Sequence, residues 1–575
     1  MSTLNTVEPF GEGFISALCP ELILFAGLIL LIVVPNLGDG KFRIPGTQTR
    51  VPWLLGGKRF KLTSDPRLPS WIGFLTIGAS FAMTILSFQD GVERTAIVSE
   101  GGTQILMINA FSRVFELIFF GALTLAAFAC MNRLDVKGVG AKLSTEELYN
   151  NRRQGDFYIL MITCALGMSI VALAQDLFVL FIGLELASFS TYVLVAFFKE
   201  SKTGTEAGMK YFIVGSVASG VGLYGLSMLY LWAGSLQLDV LATTFALSGS
   251  EALPMIGIGF VLVGFGFKVS AAPFHFAAPD AYSGASSPVA GVLATASKAM
   301  GIVGLLRILL VVAAPESSED GTVWLVCLGL LSVVTMTWGN LAALGSTNPK
   351  RMLAYSSVAH AGYMLAAITA IGAWNWDETL SGEPGEAAVV VLTALIFHLM
   401  VLVAFKLGAF LVLSVLESEG GGSKLSSLGG LAKREPFLAV AMFIFMISLA
   451  GVPPMAGFMS KLLVIMGIVR VALGDMSEAL ATGNELGLSD VHWVWWLALA
   501  MIINSAISVY YYLRVVVVMF FEEPAENRRG PLPTGWQVRF AILVCLLATL
   551  FMGVASDKIL EICEIAAQSF NYNWA

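Results

Sequence analysis

The sequence predicts an all-α polytopic membrane protein with about fourteen membrane-spanning helices. Of its 575 residues, 57% are hydrophobic and only 13% are charged, whereas soluble domains carry about 25% charged residues. Apolar runs of roughly 20 residues recur along the whole chain, and this is the length that spans about 30 Å of hydrocarbon. The longest polar stretch, Pro35 to Pro69, is too short to form the core of a soluble domain. These observations exclude a soluble protein.

The predicted helices are numbered 1 to 14 in chain order. Their approximate bounds are 14–35, 70–88, 106–131, 156–174, 177–198, 207–233, 254–273, 285–313, 322–345, 352–372, 387–416, 436–471, 493–520 and 537–556. Helix 1 follows an acidic start and has no cleavage signature, so we interpret it as a retained helix rather than a signal peptide. Helix 12 is too long for one straight span, and Pro453 and Pro454 predict a break in it. Helix 7 runs into Pro273, so we expect an irregular end there.

The basic residues of the loops indicate the orientation of the chain. The seven odd-numbered loops hold 21 Lys and Arg residues, whereas the even-numbered loops and the two termini together hold two. The positive-inside rule then places both termini on the outer, positive side of the membrane. We expect this membrane to be the bacterial cytoplasmic membrane.

The cysteines and the net charge point to no further cofactor or partner. Six cysteines are scattered without paired spacing, so we interpret them as packing residues rather than disulfides or metal ligands. No cysteine cluster suits an iron–sulfur centre. The formal charge of −7 is modest, and we expect no nucleic-acid partner.

Five charged side chains lie inside apolar runs, where the membrane is expected. A charge at the bilayer centre costs about 2.5–3.5 kcal/mol on insertion scales, so such residues are usually functional. Lysine and glutamate gain and lose protons as their surroundings change, which predicts movement of protons or ions. The five residues are Glu185, Lys268, Lys298, Lys406 and Lys461.

Each charged residue also has a structural explanation. Glu185 is either a titrating partner of a lysine or a carboxylate satisfied by a neighbouring helix, and Lys268 either titrates or extends to the inner interface. Lys298 is too deep to reach an interface easily. Lys210, near the inner end of helix 6, either reaches the interface or pairs with Glu185. Lys461 ends the predicted break in helix 12, where freed backbone groups can hold water.

Two histidines and a second set of charges complete the candidates. His360 in helix 10 and His398 in helix 11 are either proton relays or packing residues, and Lys406 follows His398 by two turns. Glu116 follows Arg113 by three residues, for which a local ion pair is the simplest explanation. Glu21 is also flanked by apolar residues and suggests no particular function.

Several segments resemble one family of membrane subunits. They are LFVLFIGLELASFSTYVLVAFF, FKVSAAPFHFAAPDAYSGASSPVAGVLATASKAMGIVGLLRIL, RMLAYSSVAHAGYMLAA, SLAGVPPMAGFMSKLLV and SVYYYLRVVVVMF. In this order, from about Asp156 to Met519, they resemble the antiporter-like subunit N of proton-pumping NADH–quinone oxidoreductase, respiratory complex I. The related L and M subunits and the Mrp-type antiporters share the PFH…PDA element. The ELASFSTYVL and ATASK segments favour subunit N.

The resemblance implies a fold and a set of partners. It implies two inverted five-helix repeats, helices 4–8 and 9–13, with helices 7 and 12 broken. The regions would be 1–155, a three-helix N-terminal part; 156–313 and 322–520, the two repeats; and 521–575, a C-terminal helix. It implies no redox centre in this chain, with quinone, NADH, FMN and iron–sulfur clusters in the whole complex. Other membrane subunits, lipids and protons would be the partners.

The resemblance also assigns roles to individual residues. It makes Glu185 the helix-5 glutamate that pairs with Lys268, Lys298 the lysine of a central hydrated axis, and Lys461 the lysine of the second half-channel. Lys210 matches the helix-6 lysine, and His360 lies within the matched helix-10 motif. The sequence departs from the family at Ala277, where a tryptophan is usual, and at Ser286, where a proline is usual. Lys406 replaces a residue that is more often neutral and polar.

The resulting expectation is a proton-translocating subunit that couples quinone reduction to proton transfer through buried Glu and Lys residues. Two other functions remain open at this stage. The chain is alternatively a subunit of a Mrp-type cation/proton antiporter, which works on an existing gradient without electron input. It is otherwise a structural spacer whose charges form fixed ion pairs.

Overall fold

The protein is a bundle of long helices with two small sheets. The structure, a computed structural model, describes residues 5–43, 50–54, 67–89, 95–99, 102–131, 145–248, 251–313, 322–373, 386–422, 424–473, 492–524, 532 and 535–570. Helices dominate this described part of the chain, which confirms the predicted fold class. The acidic stretches near residues 316–320 and 377–383, which contributed to the predicted orientation, lie outside the described residues.

The first six helices lie where the sequence predicted them, although the fourth begins at Thr145, about 11 residues earlier than predicted. They are α1 (Cys19–Asn36), α2 (Leu68–Gln89), α3 (Ala110–Cys130), α4 (Thr145–Leu173), α5 (Leu177–Val195) and α6 (Lys202–Ala233). A short helix, Phe14–Ala17, precedes α1. Side-chain oxygens of Asn109, Asp176 and Ser201 accept hydrogen bonds from the first turns of α3, α5 and α6. These caps satisfy backbone N–H groups that have no partner within a helix, and they fix where each helix starts.

Helices 7 and 8 are interrupted. A short helix, Leu238–Ser248, precedes α7, which consists of α7a (Ala252–Val269) and α7b (Ala277–Gly284). Ser270 ends α7a in the left-handed conformation, with φ 63°. Helix α8 is formed by Ser287–Ala294, Ala296–Leu306 and a π-helical turn, Arg307–Val312. The predicted irregularity at the end of helix 7 is confirmed.

The second half of the bundle repeats this pattern of continuous and broken helices. It contains α9 (Thr322–Gly345), α10 (Pro349–Ala373), α11 (Glu386–Leu402, a π-helical turn Val403–Leu407, and Gly408–Glu417), α12a (Pro436–Ala450), α12b (Ala456–Ala472), α13 (Trp495–Phe521), α14 (Trp536–Val554) and α15 (Ser556–Ser569). Two short turns, Leu425–Leu428 and Leu431–Arg434, lie between α11 and α12a. The predicted break in helix 12 is confirmed between Ala450 and Ala456.

Twelve helices of the described chain are long and apolar enough to cross a membrane. The two remaining helices among α1–α14 are α1 and the broken α12, which contain the shorter apolar stretches Cys19–Val33 and Pro436–Ala450. Together they account for the fourteen predicted helices. The division into four regions stays a prediction.

The strands form two small sheets that the sequence did not predict. In one sheet β4 (Thr95–Val98) lies between β1 (Asn5–Val7), to which it is parallel, and β5 (Gln104–Ile108), to which it is antiparallel. The other sheet pairs β2 (Leu37–Arg43) with β3 (Arg50–Leu54) in antiparallel fashion. All five strands are at most seven residues long, so they do not alter the helical architecture.

Helices α8 and α10 form the centre of the bundle. Nearly all their side chains are buried, whereas much of α2, α6 and α14 is exposed. Lys298 on α8, His360 on α10 and Lys406 on α11 therefore lie deep within the protein, behind a layer of outer helices. This location is what makes the buried lysines of the sequence unusual, because a charge there has no bulk water to solvate it.

Candidate functional site

Lys268 is held by a serine on the neighbouring helix. It lies in the last turn of α7a and is 5% exposed. Its Nζ donates a hydrogen bond to Ser188 Oγ of α5, at 2.9 Å. Lys268 is therefore turned into the bundle rather than towards an interface, which contradicts the structural explanation of an extended surface lysine.

Glu185 occupies the same helix as Ser188, three residues earlier. Its Oε1 accepts a hydrogen bond from Ser219 Oγ of α6 at 2.6 Å. Both Glu185 and Lys268 are among the described residues, and they form no direct ion pair with each other. Two serines, Ser188 and Ser219, contact the charged groups instead. Glu185 and Lys268 therefore interact electrostatically across a polar gap that contains the two serine hydroxyls. A small movement of either helix would change the strength of this interaction without making or breaking a direct contact.

Lys210 lies apart from Glu185. Its Nζ contacts Glu206 at 2.7 Å and Asp280 at 3.2 Å, and half of its side chain is exposed. Asp280 of α7b also contacts Arg351 of α10, at 3.3 Å. The predicted alternative of a Glu185–Lys210 pair is wrong, because the break in α7 brings α7b and its carboxylate to the start of α6. Lys210 belongs to an exposed ion cluster that joins three helices.

Lys298 links the end of α7a to α10. It is 1% exposed, and its Nζ donates to the carbonyl oxygens of Val269, at 2.9 Å, and Ser357, at 2.6 Å. Val269 is the last residue of α7a, whose final carbonyl groups have no partner within the helix. The ammonium group of Lys298 therefore caps a broken helix inside the protein. The carbonyl group that it caps belongs to the residue that follows Lys268 in the chain.

A glycine allows this close approach. A Cβ at Gly301, one turn after Lys298 on α8, would lie 2.8 Å from Val269 Cγ1 and 3.3 Å from Lys268 Cγ. Any larger side chain would push α8 away from the end of α7a. The two lysines of the first half are thus packed against one another's helices, with Gly301 at the contact.

Lys406 is fully buried and lies in the π-helical turn of α11. Its Nζ has no hydrogen-bond partner among the described residues. Lys298 of α8 and Lys461 of α12b both lie close enough for their charges to act on it. A π-turn inserts one extra residue into a helix and often marks a functional position.

The two histidines contact each other and extend towards Lys461. His360 Nδ1 lies 3.0 Å from His398 Nε2, and His398 Nδ1 lies 3.1 Å from Ser460 Oγ. Both histidines are buried, with 2% and 1% exposure. A neutral imidazole donates at one ring nitrogen and accepts at the other. This row of three residues can therefore hand a proton from α10 through α11 to α12b.

Lys461 caps the broken helix of the second half. Its Nζ donates to the carbonyl oxygen of Leu449 at 2.8 Å and to Ser505 Oγ at 3.1 Å. Gly451, which ends α12a with φ 82°, makes room for it, because a Cβ there would meet the Lys461 side chain at 3.2 Å. The nitrogen also lies 5.9 Å from the centre of the Tyr363 ring, a favourable cation–π distance.

Several polar residues of this site were not predicted. The serines that contact the charged groups are Ser188, Ser219, Ser460 and Ser505. Ser188 carried a weak signal, since it follows Glu185 by three residues and so shares its helix face. All four lie on different helices from the groups they contact, and only the packing of the helices brings them together.

A buried ion pair was also missed. Lys350, at the start of α10, contacts Glu417, at the end of α11, at 2.6 Å. Glu417 accepts a further hydrogen bond from Ser287 Oγ of α8 at 2.6 Å, and Lys350 donates to the carbonyl of Ala285 at 2.5 Å. These contacts tie the ends of three central helices together. Their partners lie far apart in the chain, so the sequence gives no local signal.

The charged groups of the site do not form a metal centre. Within the described residues, no group of three or more His, Cys, Asp or Glu side chains is arranged to hold a metal ion. The arrangement instead consists of lysines, two histidines, one carboxylate and serine hydroxyls, and the first three of these are residue types that can bind and release protons.

A family model matches most of the chain. The family is described as NADH:quinone oxidoreductase/Mrp antiporter, TM, and it matches residues 174–382 and 385–483. Every candidate residue from Glu185 to Lys461 falls within these two segments.

Curated relatives match over still greater lengths. The NADH-quinone oxidoreductase subunit N of Trichlorobacter lovleyi is 33% identical over 98% of this chain and 99% of its own length. The NADH-quinone oxidoreductase subunit N 2 of Roseiflexus castenholzii is 33% identical over 86% of this chain and 89% of its own length.

Solved structures share the fold. A chain of respiratory complex I from Thermus thermophilus with bound aureothin is 27% identical, with a TM-score of 0.68 over 94% of this chain and 98% of that chain. A chain of the Mrp complex from Dietzia sp. DQ12-45-1b has a TM-score of 0.72 over 97% of both chains, at 20% identity. The match to full-length subunits N together with the family model shows that this chain belongs to the NADH:quinone oxidoreductase/Mrp antiporter family, within its subunit N group.

Proposed function

We propose that this chain is a proton-translocating membrane subunit of an NADH:quinone oxidoreductase. The observation that carries the proposal is the row of buried groups along α7a, α8, α10, α11 and α12b, whose charged members are Lys268, Lys298, Lys406 and Lys461. A row of buried ionisable residues in a membrane bundle is costly and is typical of a proton path. In this proposal the redox cofactors NADH, FMN, iron–sulfur clusters and quinone bind to other subunits.

In this proposal, the free energy of quinone reduction reaches this chain at Glu185. Phe178, Ile182, Phe189 and Val193 share its face of α5 and are 47–51% exposed, while Glu185 itself is only partly buried. An apolar face of a membrane helix can contact lipid, but a partly exposed carboxylate within it suits contact with a neighbouring membrane subunit of the complex, because a charged group avoids lipid. A change of charge or geometry in that neighbour, driven by quinone reduction, would alter the electrostatic interaction between Glu185 and Lys268.

Lys268 and Lys298 then act together. Burial disfavours a charged lysine, whereas a nearby carboxylate favours it. When the influence of Glu185 weakens, Lys268 releases its proton, and Lys298 lies beside it at the end of α7a. Each tenfold change in proton affinity corresponds to about 1.4 kcal/mol, and a proton crossing 100 mV requires about 2.3 kcal/mol. A change of two or three orders of magnitude in the proton affinity of a lysine is therefore large enough to drive transport.

The second half passes the proton onward. The contacts His360–His398 and His398–Ser460 lead towards Lys461, while Lys406 lies within electrostatic range of both Lys298 and Lys461. Protonation of Lys406 raises the electrostatic cost of a second charge on either neighbour, so the lysines load and unload in turn. Lys210 is the exception, since its exposed ion cluster suits entry from the aqueous side or anchoring of α7b.

The loop charges support an orientation with both termini on the outer side of a bacterial cytoplasmic membrane. In this orientation Lys210, Lys350 and Glu417 lie at the inner ends of their helices. Proton uptake would then begin on the side where these charged groups lie.

A second candidate function rests on the shared fold. The Mrp complex chain superimposes as well as the complex I chain does, so a cation/proton antiporter subunit uses the same architecture. The relatives matched over nearly the full length favour the oxidoreductase.

Purification and transport measurements distinguish the two. We expect the tagged chain to co-purify with flavin and iron–sulfur subunits, and vesicles containing the purified complex to acidify on one side when NADH and a quinone are added. Co-purification with a few small membrane proteins only, and Na⁺-dependent exchange without electron input, would contradict the proposal and favour the antiporter.

A further inference from the structure

A second group of buried charges lies outside the row of lysines. Arg113 and Glu116 of α3, Glu21 near the start of α1 and Ser169 of α4 contact one another. Arg113 Nη1 lies 2.5 Å from Glu116 Oε2 and 3.4 Å from Glu21 Oε1. The sequence predicted the Arg113–Glu116 ion pair, and the structure confirms it, but the second carboxyl group was unexpected.

The charges of this cluster do not balance if both carboxyl groups are ionised. The side chains of Glu116 and Arg113 are 0% and 2% exposed, and that of Glu21 is 12% exposed. Two carboxylates and one guanidinium would leave a net negative charge in a buried place. Burial of an uncompensated charge is strongly unfavourable, and two carboxyl groups that share a site usually keep one proton between them.

The hydrogen bonds of Ser169 lead to the same conclusion by counting protons. Its Oγ lies 2.8 Å from Glu21 Oε1 and 2.7 Å from Glu116 Oε1. Both are ordinary lengths for a linear O–H···O hydrogen bond. A serine hydroxyl has only one proton to donate, and ionised carboxylates only accept. One of the two contacts therefore needs a proton on the carboxyl group, which then donates to the serine oxygen.

Two further polar atoms of the cluster have unused hydrogen-bonding capacity. Glu21 Oε2 and Arg113 Nε are buried and have no hydrogen-bond partner among the described residues. Glu21 is the only partly accessible carboxyl group of the pair. The charged side chains that the described structure places against Glu21 are Arg113 and Glu116.

We propose that Glu21 and Glu116 form a proton-binding site that holds one proton between the two carboxyl groups, bridged by Ser169. The bound proton makes the cluster electrically neutral, with Arg113 balancing the remaining carboxylate. Exchange with the surroundings takes place through Glu21. This site lies on α1, α3 and α4, outside the helices that carry the lysine row, and it does not depend on the proposed function.

Infrared difference spectroscopy tests this site in the assembled complex. A protonated carboxyl group gives a carbonyl stretching band that shifts in D₂O. We expect Glu21→Gln and Glu116→Gln each to remove one such band relative to the unsubstituted complex, because a single carboxylate beside Arg113 has no reason to keep a proton. Glu435→Gln is the matched control: Glu435 forms an ordinary ion pair with Arg539 at 3.0 Å, so its substitution should remove no such band.

Assembly and a third variant provide independent measurements. Each single glutamine variant keeps the cluster neutral and should assemble normally, whereas Glu21→Gln/Glu116→Gln leaves Arg113 unbalanced and should lower the amount of assembled complex severalfold. Ser169→Ala should keep the band and shift its frequency, because the carboxyl group loses its acceptor. If neither single glutamine variant loses a protonated-carboxyl band, or if Ser169→Ala leaves the band at its original frequency, the proposal is wrong.

Discussion

The two halves of the bundle, α4–α8 and α9–α13, each contain a broken helix whose free carbonyl groups are capped by a lysine. In the first half the lysine comes from the next helix, since Lys298 of α8 contacts Val269 at the end of α7a. In the second half it comes from the same broken helix, since Lys461 of α12b contacts Leu449 and Ala450 at the end of α12a. The free carbonyl groups of a broken helix are thus capped in two different ways in one chain.

The partners of the lysines differ as well. The first half has a carboxylate, Glu185, that acts on Lys268 across two serines. The second half has no carboxylate in the corresponding described contacts, and it uses His360, His398 and Ser460 instead. Under the proposed function, the first half would respond to a change in charge near Glu185, whereas the second half would conduct protons along its hydrogen-bonded row.

The largest expected difference concerns two lysines of the second half. Lys406 has no hydrogen-bond partner in the described structure, while Lys461 has several. Lys406→Met replaces an unpartnered buried amino group with an apolar side chain and should stabilise the complex by about 1–3 kcal/mol. Lys461→Met leaves the Leu449 carbonyl and Ser505 without their donor and should destabilise it by about 1–3 kcal/mol. The midpoint of thermal dissociation of the complex measures both.

The effect of Lys406→Met on proton transport should be opposite to its effect on stability. If Lys406 carries protons, Lys406→Met should lower NADH-driven proton transport by roughly tenfold or more even though the complex is more stable. Lys433→Met is the matched control, because Lys433 forms an exposed ion pair with Glu523. A stabilised complex that transports protons at the normal rate would mean that Lys406 is not part of the path.

A smaller effect is expected from the serines that serve the two halves. Ser460→Ala interrupts the row from His398 to Lys461, whereas Ser188→Ala removes one contact of Lys268. Each should cost about 0.5–1.5 kcal/mol of stability, the usual net value of one hydrogen bond. Transport should fall more in Ser460→Ala, because Ser460 is where the histidine row reaches α12b, whereas Ser188 makes only one contact with Lys268 and a water molecule can replace it. Equal losses would contradict the proposed difference between the halves.

The sequence predicted the helices and both breaks because these depend on local properties. Apolar runs set the spans, and Pro273, Pro453 and Pro454 interrupt them wherever the chain folds. The Arg113–Glu116 pair was predictable for the same reason, since three residues make one turn.

Contacts between distant helices could not be predicted in this way. The alternative of a Glu185–Lys210 pair fails because the break in α7 lets α7b bring Asp280 to Lys210. The row from His360 to Ser460 requires three helices to pack at particular heights. The same holds for Ser169, which meets Glu21 and Glu116 only through the packing of α4 against α1 and α3.

In the proposed function, proton movement through the first half depends on both Glu185 and Lys268, which are separated by Ser188 and Ser219. This dependence is tested most directly by NADH-driven proton uptake in vesicles containing complexes with Lys268→Ala and Glu185→Gln together. We expect the complex to assemble and proton uptake to fall severalfold or more, with Lys433→Met as the unaffected control. Normal proton uptake and normal quinone reduction in the double variant would contradict the account.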